Sequence, residues 1–511
     1  MEYSDEQRDI IENTNGSVVV SAGAGSGKTR TLVEKIKYDM KKSESETHKI
    51  VAAITFTIKA TNEIRTRLSP IRNEQVYVST NNQFVINEII QPFCKDYYGS
   101  DFIHDYDVNY ARKFATYDLC LEELKTNRKI CSLSNNRQNF VFQLALKILQ
   151  NSMAAKIYLS SKYYKWYIDE YQDSDNDMHA FFMYVHTELK IDLFIIGDEK
   201  QNIYVWRGAN SQNFKGLFEN DRFSNKRLTE NFRSLQQIQN LSNLLNSNTQ
   251  HLIKEVSGAN NVILYPIDDR TDCIEIIIKI VKARRLHTAI LRKSNNDVKS
   301  TYSELRENGL DFVCVPTIPI DDITSANSWI YFGVAHYCLV NRNAYDFIEY
   351  IPVESSEKND PLTKQIDGIL KETNNYKSNE NEFIRSFKKL ADLLECNVED
   401  DNIKMVLETV LNNDNVSAFY TNDRNNQVST IHKAKGKEFD LVFLYSSDFT
   451  HFATESDINP LYVATTRGKQ RLVIFNKPDS LFERYINRKI TEISMENKNF
   501  YTVYQAIKKD N

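Results

Sequence analysis

One loop restricts this chain more than any other stretch. Residues 21–30 read SAGAGSGKTR. The loop follows SVVVS (17–21), a β-branched run of strand character, and should open a helix. Chemistry explains each residue of Ala22, Gly23, Ala24, Gly25, Ser26, Gly27, Lys28 and Thr29. Glycines let backbone N–H groups turn inward around phosphate oxygens, and a helix N-terminus adds partial positive charge. A lysine at position 28 reaches β- and γ-phosphates, and a threonine hydroxyl at 29 ligates Mg²⁺. Ala22 stands where the strict pattern has glycine. The loop therefore predicts ATP with Mg²⁺, held on a strand–loop–helix unit of an α/β sheet.

The rest of the chain supports that class. IVAAITF (50–56), YKWYID (164–169) and LFIIGD (193–198) are further buried-strand candidates separated by helical stretches, the pattern of a parallel sheet with crossover helices. The pattern restarts with HTAILRK (287–293), VSTIHK (428–433), DLVFLY (440–445) and RLVIF (471–475). With 511 residues, too many for one ordinary core, this predicts two α/β domains. Two segments interrupt them. Residues 96–160 are rich in aromatic and basic side chains at helical spacing, and residues 353–427 are polar and charged. In the latter, Phe383, Phe387, Leu390 and Leu394 share one helix face, most simply a core face.

Net charge is −5, so any nucleic-acid site must be a local track and not a global field. The seven cysteines are odd in number, scattered and without a CxxC pair, which predicts reduced thiols in a cytoplasmic protein and no structural zinc or iron–sulfur site. No signal peptide or membrane span is expected, since no run of about 18 apolar residues occurs.

Other residues extend the nucleotide site. Asp169 and Glu170 end a strand, where an aspartate can hold magnesium and a glutamate can orient and deprotonate water. Gln201, after the next strand, could contact the γ-phosphate and report its loss. Arg233 and Arg467 could supply positive charge to the transferring oxygens. Taken singly, each has a plain alternative as a loop or surface residue.

Their order and spelling resemble superfamily 1A helicases of the UvrD/Rep/PcrA kind. The matching stretches are YSDEQ (3–7), AGAGSGKTR (22–30), ITFTIKATNEIRTRL (54–68), VSTNNQF (78–84), IDEYQDSD (168–175), GDEKQNIYVWRGA (197–209), LTENFRS (228–234), VSTIHKAKGKEFDLVF (428–443) and LYVATTRG (461–468). The resemblance implies two RecA-like P-loop domains, 1A and 2A, with ATP in the cleft between them and small, mainly helical insertions, a reduced 1B and 2B. The implied organisation is 1–95 and 161–235 for 1A, 96–160 for 1B, 236–352 and 428–511 for 2A, and 353–427 for 2B. It implies that Gln7 reads adenine, that Arg30 and Phe232 sandwich it, and that Glu438 bonds the ribose. It makes Arg233 and Arg467 the two fingers and implies 3′-to-5′ stepping along single-stranded DNA. Phe56, Thr80, Tyr204, Trp206, Arg207 and His432 are the implied DNA contacts; bases stack on aromatic rings whatever their sequence. An isolated Trp206 or Phe56 would more simply be a core aromatic.

Within that group, EIIQPFCKDYYG (88–99) and NFVFQLALKIL (139–149) are similar to helicase-like subunits of Gabija anti-phage defence systems. That similarity implies a role in sensing single-stranded or tailed DNA and a partner, the Gabija endonuclease, with ATPase and Toprim nuclease domains. The segment 96–160 is a candidate partner surface. A DNA-regulated ATPase with little unwinding, a housekeeping repair helicase and a scaffold with a vestigial site are the alternatives; the intact nucleotide residues weigh against the last.

Overall fold

The computed structural model describes residues 3–43, 48–68, 75–103, 105–256, 260–268, 272–315, 318–323, 328–341, 343–348, 350–351, 360–377, 379–394, 396, 398–419, 426–497 and 503–506. The expected 2B boundary at Val353 lies outside the described residues.

Two parallel sheets organise the chain. The first contains β1 (Val18–Ala22), β2 (Ile50–Thr55), β3 (Val76–Thr80), β6 (Tyr163–Ile168), β7 (Asp192–Gly197) and β8 (Ser224–Leu228), in the order β3-β2-β6-β7-β1-β8. A parallel pair, β4 (Asp107–Phe114) and β5 (Lys129–Leu133), stands apart from it. The second sheet contains β9 (Val262–Pro266), β10 (Thr288–Arg292), β11 (Val313–Val315), β12 (Gln427–Thr430), β13 (Phe439–Tyr445), β14 (Gly468–Asn476) and β15 (Gln505–Ala506), in the order β11-β12-β10-β13-β14-β9-β15. This is the two-sheet α/β arrangement of RecA-like helicase domains.

Strand periodicity explains why both sheets are sandwiched by helices. In the first, Val19, Ala52, Ile54, Trp166, Ile168, Leu193 and Ile195 enter one apolar layer. Their strand neighbours Val18, Val20, Val51, Ala53, Tyr167, Phe194 and Ile196 enter the other. Alternate residues point to opposite faces, so a strand buried on both sides must be apolar throughout. The second sheet divides likewise: Leu264, Leu291, Leu444 and Ile474 on one face, Ile263, Ile290, Phe443 and Phe475 on the other.

The two insertions differ in kind. Residues 318–410 contribute their own apolar cluster, in which Phe383, Phe387 and Leu390 of the helix Glu380–Leu393 are fully buried. The stretch 96–160 has no separate core. Leu124, Ile130, Phe140, Leu144 and Ile148 join Trp166, Ile168 and Phe181 in the core of the first sheet. Nor is it purely helical: the β4–β5 pair lies within it, since Val108, Tyr110, Phe114 and Ile130 carry the β-branched and aromatic pattern of strands.

A buried lysine fixes the N-terminal helix Asp5–Asn13 onto the helix Lys28–Ser43. Lys35 Nζ donates to the carbonyls of Ile11 (3.1 Å) and Thr14 (2.7 Å) and pairs with Asp39 (2.8 Å). Those carbonyls belong to a helix end that would otherwise lack donors. Burial pulls the Lys35 pKa down, opposed by Asp39.

Trp166 is the largest fully buried side chain, with Phe84 at 4.7 Å and Phe181 at 6.1 Å between ring centroids. Trp166→Ala is expected to destabilise the chain by about 3–5 kcal/mol, because the aromatic cage cannot collapse around an alanine. Denaturant unfolding checks this, and a loss under 1 kcal/mol would contradict the described packing.

Candidate functional site

The predicted site residues lie mostly on loops that leave the C-terminal ends of strands in the first sheet, where parallel sheets bind ligands. Ala22 ends β1, Thr80 ends β3, Asp169 follows β6 and Asp198 follows β7. The second sheet meets them with residues that follow β12, His432 and Lys435, and residues that precede β13 and β14, Glu438 and Arg467.

The glycine loop turns through left-handed backbone at Gly25 (φ 76°) and Gly27 (φ 82°). A Cβ at Gly25 would stand 2.5 Å from Asn231 Oδ1, and one at Gly27 would stand 2.8 Å from Gln7 Nε2. The loop is thus pressed against both the N-terminal helix and the turn that carries Arg233. Gln7 is buried. Its amide oxygen caps its own helix by accepting from Ser4 N, and its Nε2 donates to Ser26 O at 3.1 Å. One amide hydrogen remains for a base edge. Arg30 lies over the Tyr3 ring at 5.0 Å, and Tyr3 donates to Glu34. Phe232 is 60% exposed beside the loop, its N–H bonded to Gly25 O at 3.0 Å.

Asp169 is buried, with its N–H on Ile54 O of the adjacent strand. Burial, then the Glu170 charge, pushes its carboxyl up. Glu170 takes a left-handed backbone (φ 51°), a strained conformation for a glutamate. Burial would raise its pKa, but Lys28, Lys435 and the bond from Gln172 outweigh that and hold it below the ordinary value. The carboxylate is therefore held ionised. Thr29 and Asp169 offer one hydroxyl and one carboxylate. That oxygen donor set fits Mg²⁺ carried by nucleotide phosphates, which needs only one or two protein carboxylates.

Past β7, Asp198 is sealed from water. It pairs with Lys200 at 2.7 Å and accepts from Gln201 Nε2 at 2.9 Å. Arg467, only 1% exposed, donates to Gln201 Oε1 at 3.4 Å and to the carbonyls of Val463 and Lys437. Burial, then the neighbouring Arg233, pulls its pKa down to about 9. Among the described residues no carboxylate stands at ion-pair distance from it; its partners are neutral oxygens, the Thr466 hydroxyl included. Arg233 is placed differently: its Nε donates to Glu438 Oε2 at 2.8 Å. The carboxylate expected on ribose is here held by the expected finger.

Sequence reasoning missed several residues. Gln172 is fully buried and bonds Glu170, while its own Oε1 accepts from Asp198 N at 2.9 Å. Lys435 reaches from the second sheet to Asp173 at 2.6 Å and lies over the Tyr204 ring at 4.8 Å. Tyr462 reaches across likewise, to Ala24 and Asp198. These three stand inside recognised stretches, so the signal was position within a motif; a glutamine, a lysine and a tyrosine carry no chemistry-specific spacing of their own.

On the nucleic-acid side, Trp206 is 58% exposed with the Arg207 guanidinium over its ring at 4.6 Å, so the core reading fails for it. Tyr204 is half-buried against His432, 6.1 Å between ring centroids. Phe56 and Thr80 are half-buried, and the Thr80 side chain caps no backbone amide of the helix it precedes.

Gly25→Ala is expected to raise the ATP Kd by at least about tenfold: a non-glycine residue in left-handed backbone costs about 1–2 kcal/mol, and the methyl displaces the Arg233 turn. Gly216, with nothing within 4 Å of an added Cβ, provides the control; Gly216→Ala should bind ATP as the parent does. Equal affinity in both variants would refute the described loop packing.

The chain matches the UvrD/REP helicase N-terminal domain family over residues 3–140 and 108–222, and the UvrD-like helicase C-terminal domain family over residues 333–477. It is 39% identical over 500 residues to Gabija protein GajB of Bacillus cereus (strain VD045), covering 96% of this chain and 99% of that protein. It is 27% identical over 304 residues to ATP-dependent DNA helicase Rep of Buchnera aphidicola subsp. Acyrthosiphon pisum, covering 50% of this chain and 46% of Rep. It is 25% identical over 369 residues to ATP-dependent DNA helicase PcrA of Staphylococcus epidermidis (strain ATCC 35984), covering 61% of this chain and 50% of PcrA. With both family models matching and 39% identity to GajB over 96% of its length, the chain belongs to the UvrD-like helicase family.

Proposed function

We propose that this chain is a DNA-dependent ATPase motor of 3′-to-5′ type. In this reading it acts in the cytoplasm within an anti-phage defence system, where it senses single-stranded or tailed DNA and activates a Gabija endonuclease partner. The observation that carries the motor reading is the bond from Arg467 to Gln201 across the cleft. A cation on one sheet meets a polar sensor on the other, beside Lys28 and Glu170, so phosphate charge would bind both halves at once.

In this reading the loop 22–29 wraps the ATP phosphates and Lys28 reaches the β- and γ-oxygens. Mg²⁺, held by Thr29 and Asp169, supplies charge neutralisation on those oxygens when bound. Glu170, kept ionised by Lys28 and Lys435, takes a proton from the water whose oxygen attacks the γ-phosphorus. Arg467, and Arg233 once it leaves Glu438, neutralise the transferring group; ADP and phosphate leave. Gln7, Arg30 and Phe232 hold the adenine and Glu438 the ribose. Phe56, Thr80, Tyr204, Trp206, Arg207 and His432 form the DNA track, and Trp206 stacks a base opposite Arg207. The defence role rests on the similarity to GajB over 96% of this chain, far beyond the motif-bearing segments.

ATP turnover by the purified chain tests the proposal, alone and with single-stranded, blunt-duplex and tailed-duplex DNA. Strong stimulation by single strands or tails is expected. No stimulation, even with the endonuclease present, would refute the motor reading. Lys28→Ala should abolish turnover, because the γ-phosphate loses its main cation; parent-like turnover would refute the site. Trp206→Ala should weaken single-strand binding by about 1–3 kcal/mol, the worth of one stacked base. Fluorescence anisotropy with a labelled oligonucleotide measures it, and unchanged affinity would remove Trp206 from the track.

A further inference from the structure

The helix Glu455–Thr465 lies along the cleft and grips the first sheet with one face. Residues at i, i+4 and i+7 make the contacts. Glu455 pairs with Lys215 at 2.5 Å. Asn459 Nδ2 donates to Asn202 O at 2.9 Å and Glu199 O at 3.4 Å. Tyr462 makes the innermost contact. Its hydroxyl donates to Asp198 Oδ2 at 3.1 Å and accepts from Ala24 N at 3.2 Å.

Both partners of that hydroxyl belong to the nucleotide site. Ala24 is the third residue of the glycine loop, whose amides are the phosphate ligands. Gly23 N donates to Leu228 O and Ser26 N to Gly23 O, both within the first half of the chain. The Ala24 amide is instead surrendered to a side chain of the second half. Asp198 is the carboxylate that holds Gln201, and Gln201 accepts from Arg467. Arg467 lies five residues beyond Tyr462, two past the end of that helix, and its Nε anchors it there by donating to the Val463 carbonyl at 3.0 Å. One rigid element thus touches the loop through Tyr462 and the sensor through both Tyr462 and Arg467. Packing reinforces the joint: Tyr462, Ala24 and Ile203 enter the apolar cluster of the second sheet. Burial, then the Asp198 charge, raises the tyrosine pKa, so the phenol stays protonated and can donate and accept together.

We infer that Tyr462 is a positioning residue for ATP hydrolysis: its hydroxyl locks the third amide of the glycine loop and the Asp198–Gln201 pair to the helix that bears Arg467. Movement of that helix therefore moves loop, sensor and finger as one unit, and the cleft cannot close productively with any of them out of register. The inference rests on the nucleotide-site reading proposed above. Ground-state binding depends on the amides of residues 25–29 and on Lys28, which Tyr462 does not touch. Alignment of the γ-phosphate with Gln201 and Arg467 does depend on it, so loss of the hydroxyl falls on turnover and not on affinity.

The test is steady-state ATP hydrolysis by the full-length chain with single-stranded DNA, comparing the parent, Tyr462→Phe and Asn459→Ala. Phenylalanine keeps the ring and its packing and removes only the two hydrogen bonds. Tyr462→Phe should lower kcat at least about tenfold with KM for ATP within about threefold, and thermal melting should show a folded protein. Asn459→Ala loosens the same helix without touching the hydroxyl and should keep kcat within about threefold of the parent. A parent-like kcat in Tyr462→Phe overturns the inference and leaves the proposed function standing. An equal kcat loss in both variants also overturns it, because the effect then belongs to helix docking in general. A parent that hydrolyses no ATP under any DNA condition overturns the proposed function itself, and this role with it.

Discussion

The buried carboxylate of Asp198 is the point on which the cleft depends. It is 0% exposed, and an ionised carboxyl in that position is tolerable only with several partners. Lys200, Gln201 and Tyr462 provide side-chain partners, and the Asp198 N–H bonds Gln172, which in turn bonds Glu170. Burial would raise its pKa, but Lys200 and Lys28 outweigh that and keep it charged. One desolvated charge therefore ties Glu170, Gln201 and the helix Glu455–Thr465 into a single hydrogen-bonded set. Such networks add geometry more than stability, since desolvation consumes most of their Coulomb energy. A site whose parts must move together has use for that trade.

The same logic explains the cations around it. Lys28, Lys435 and Arg467 lie near Glu170 and Asp198, and two of the three come from the second half of the chain. Lys435 is matched by Asp173, whereas Arg467 is matched by backbone carbonyls, the Thr466 hydroxyl and the Gln201 oxygen. Its pKa is depressed by burial and by the neighbouring Arg233. Arg233 instead pairs with Glu438 on the half-exposed rim. The two arginines are thus placed differently: one is buried on neutral oxygens, the other is paired with a carboxylate on the rim.

Much of the first sheet was legible from sequence because strands buried on both faces are continuous apolar runs. VVVSA, IVAAIT and DLFIIG declare themselves, as do TAILR and DLVFLY in the second sheet. The missed strands lack that signal. β8 is SNKRL, an edge strand with only Leu228 buried; β9 ends in proline; β11 has three residues. The segment 96–160 misled for a related reason. Its aromatic residues suit a helix face, but Tyr110 and Phe114 stand on a strand paired with β5, and pairing is a long-range fact.

The nucleotide residues were legible because phosphate chemistry admits few side chains at few spacings, and the glycine loop, the Asp-Glu pair and the arginines each carry that constraint locally. Sequence by itself determined the family, the loop and the candidates for each role. Tertiary structure decided how those candidates pair. It gave Glu438 to Arg233, left Arg467 buried without a carboxylate, exposed Trp206 under Arg207, and brought Lys435 and Tyr462 across the cleft. The physical reason is that pairing and burial depend on which residues the two sheets bring together from hundreds of positions apart. A sequence separation of 438 between Ala24 and Tyr462 leaves no local trace of a bond 3.2 Å long.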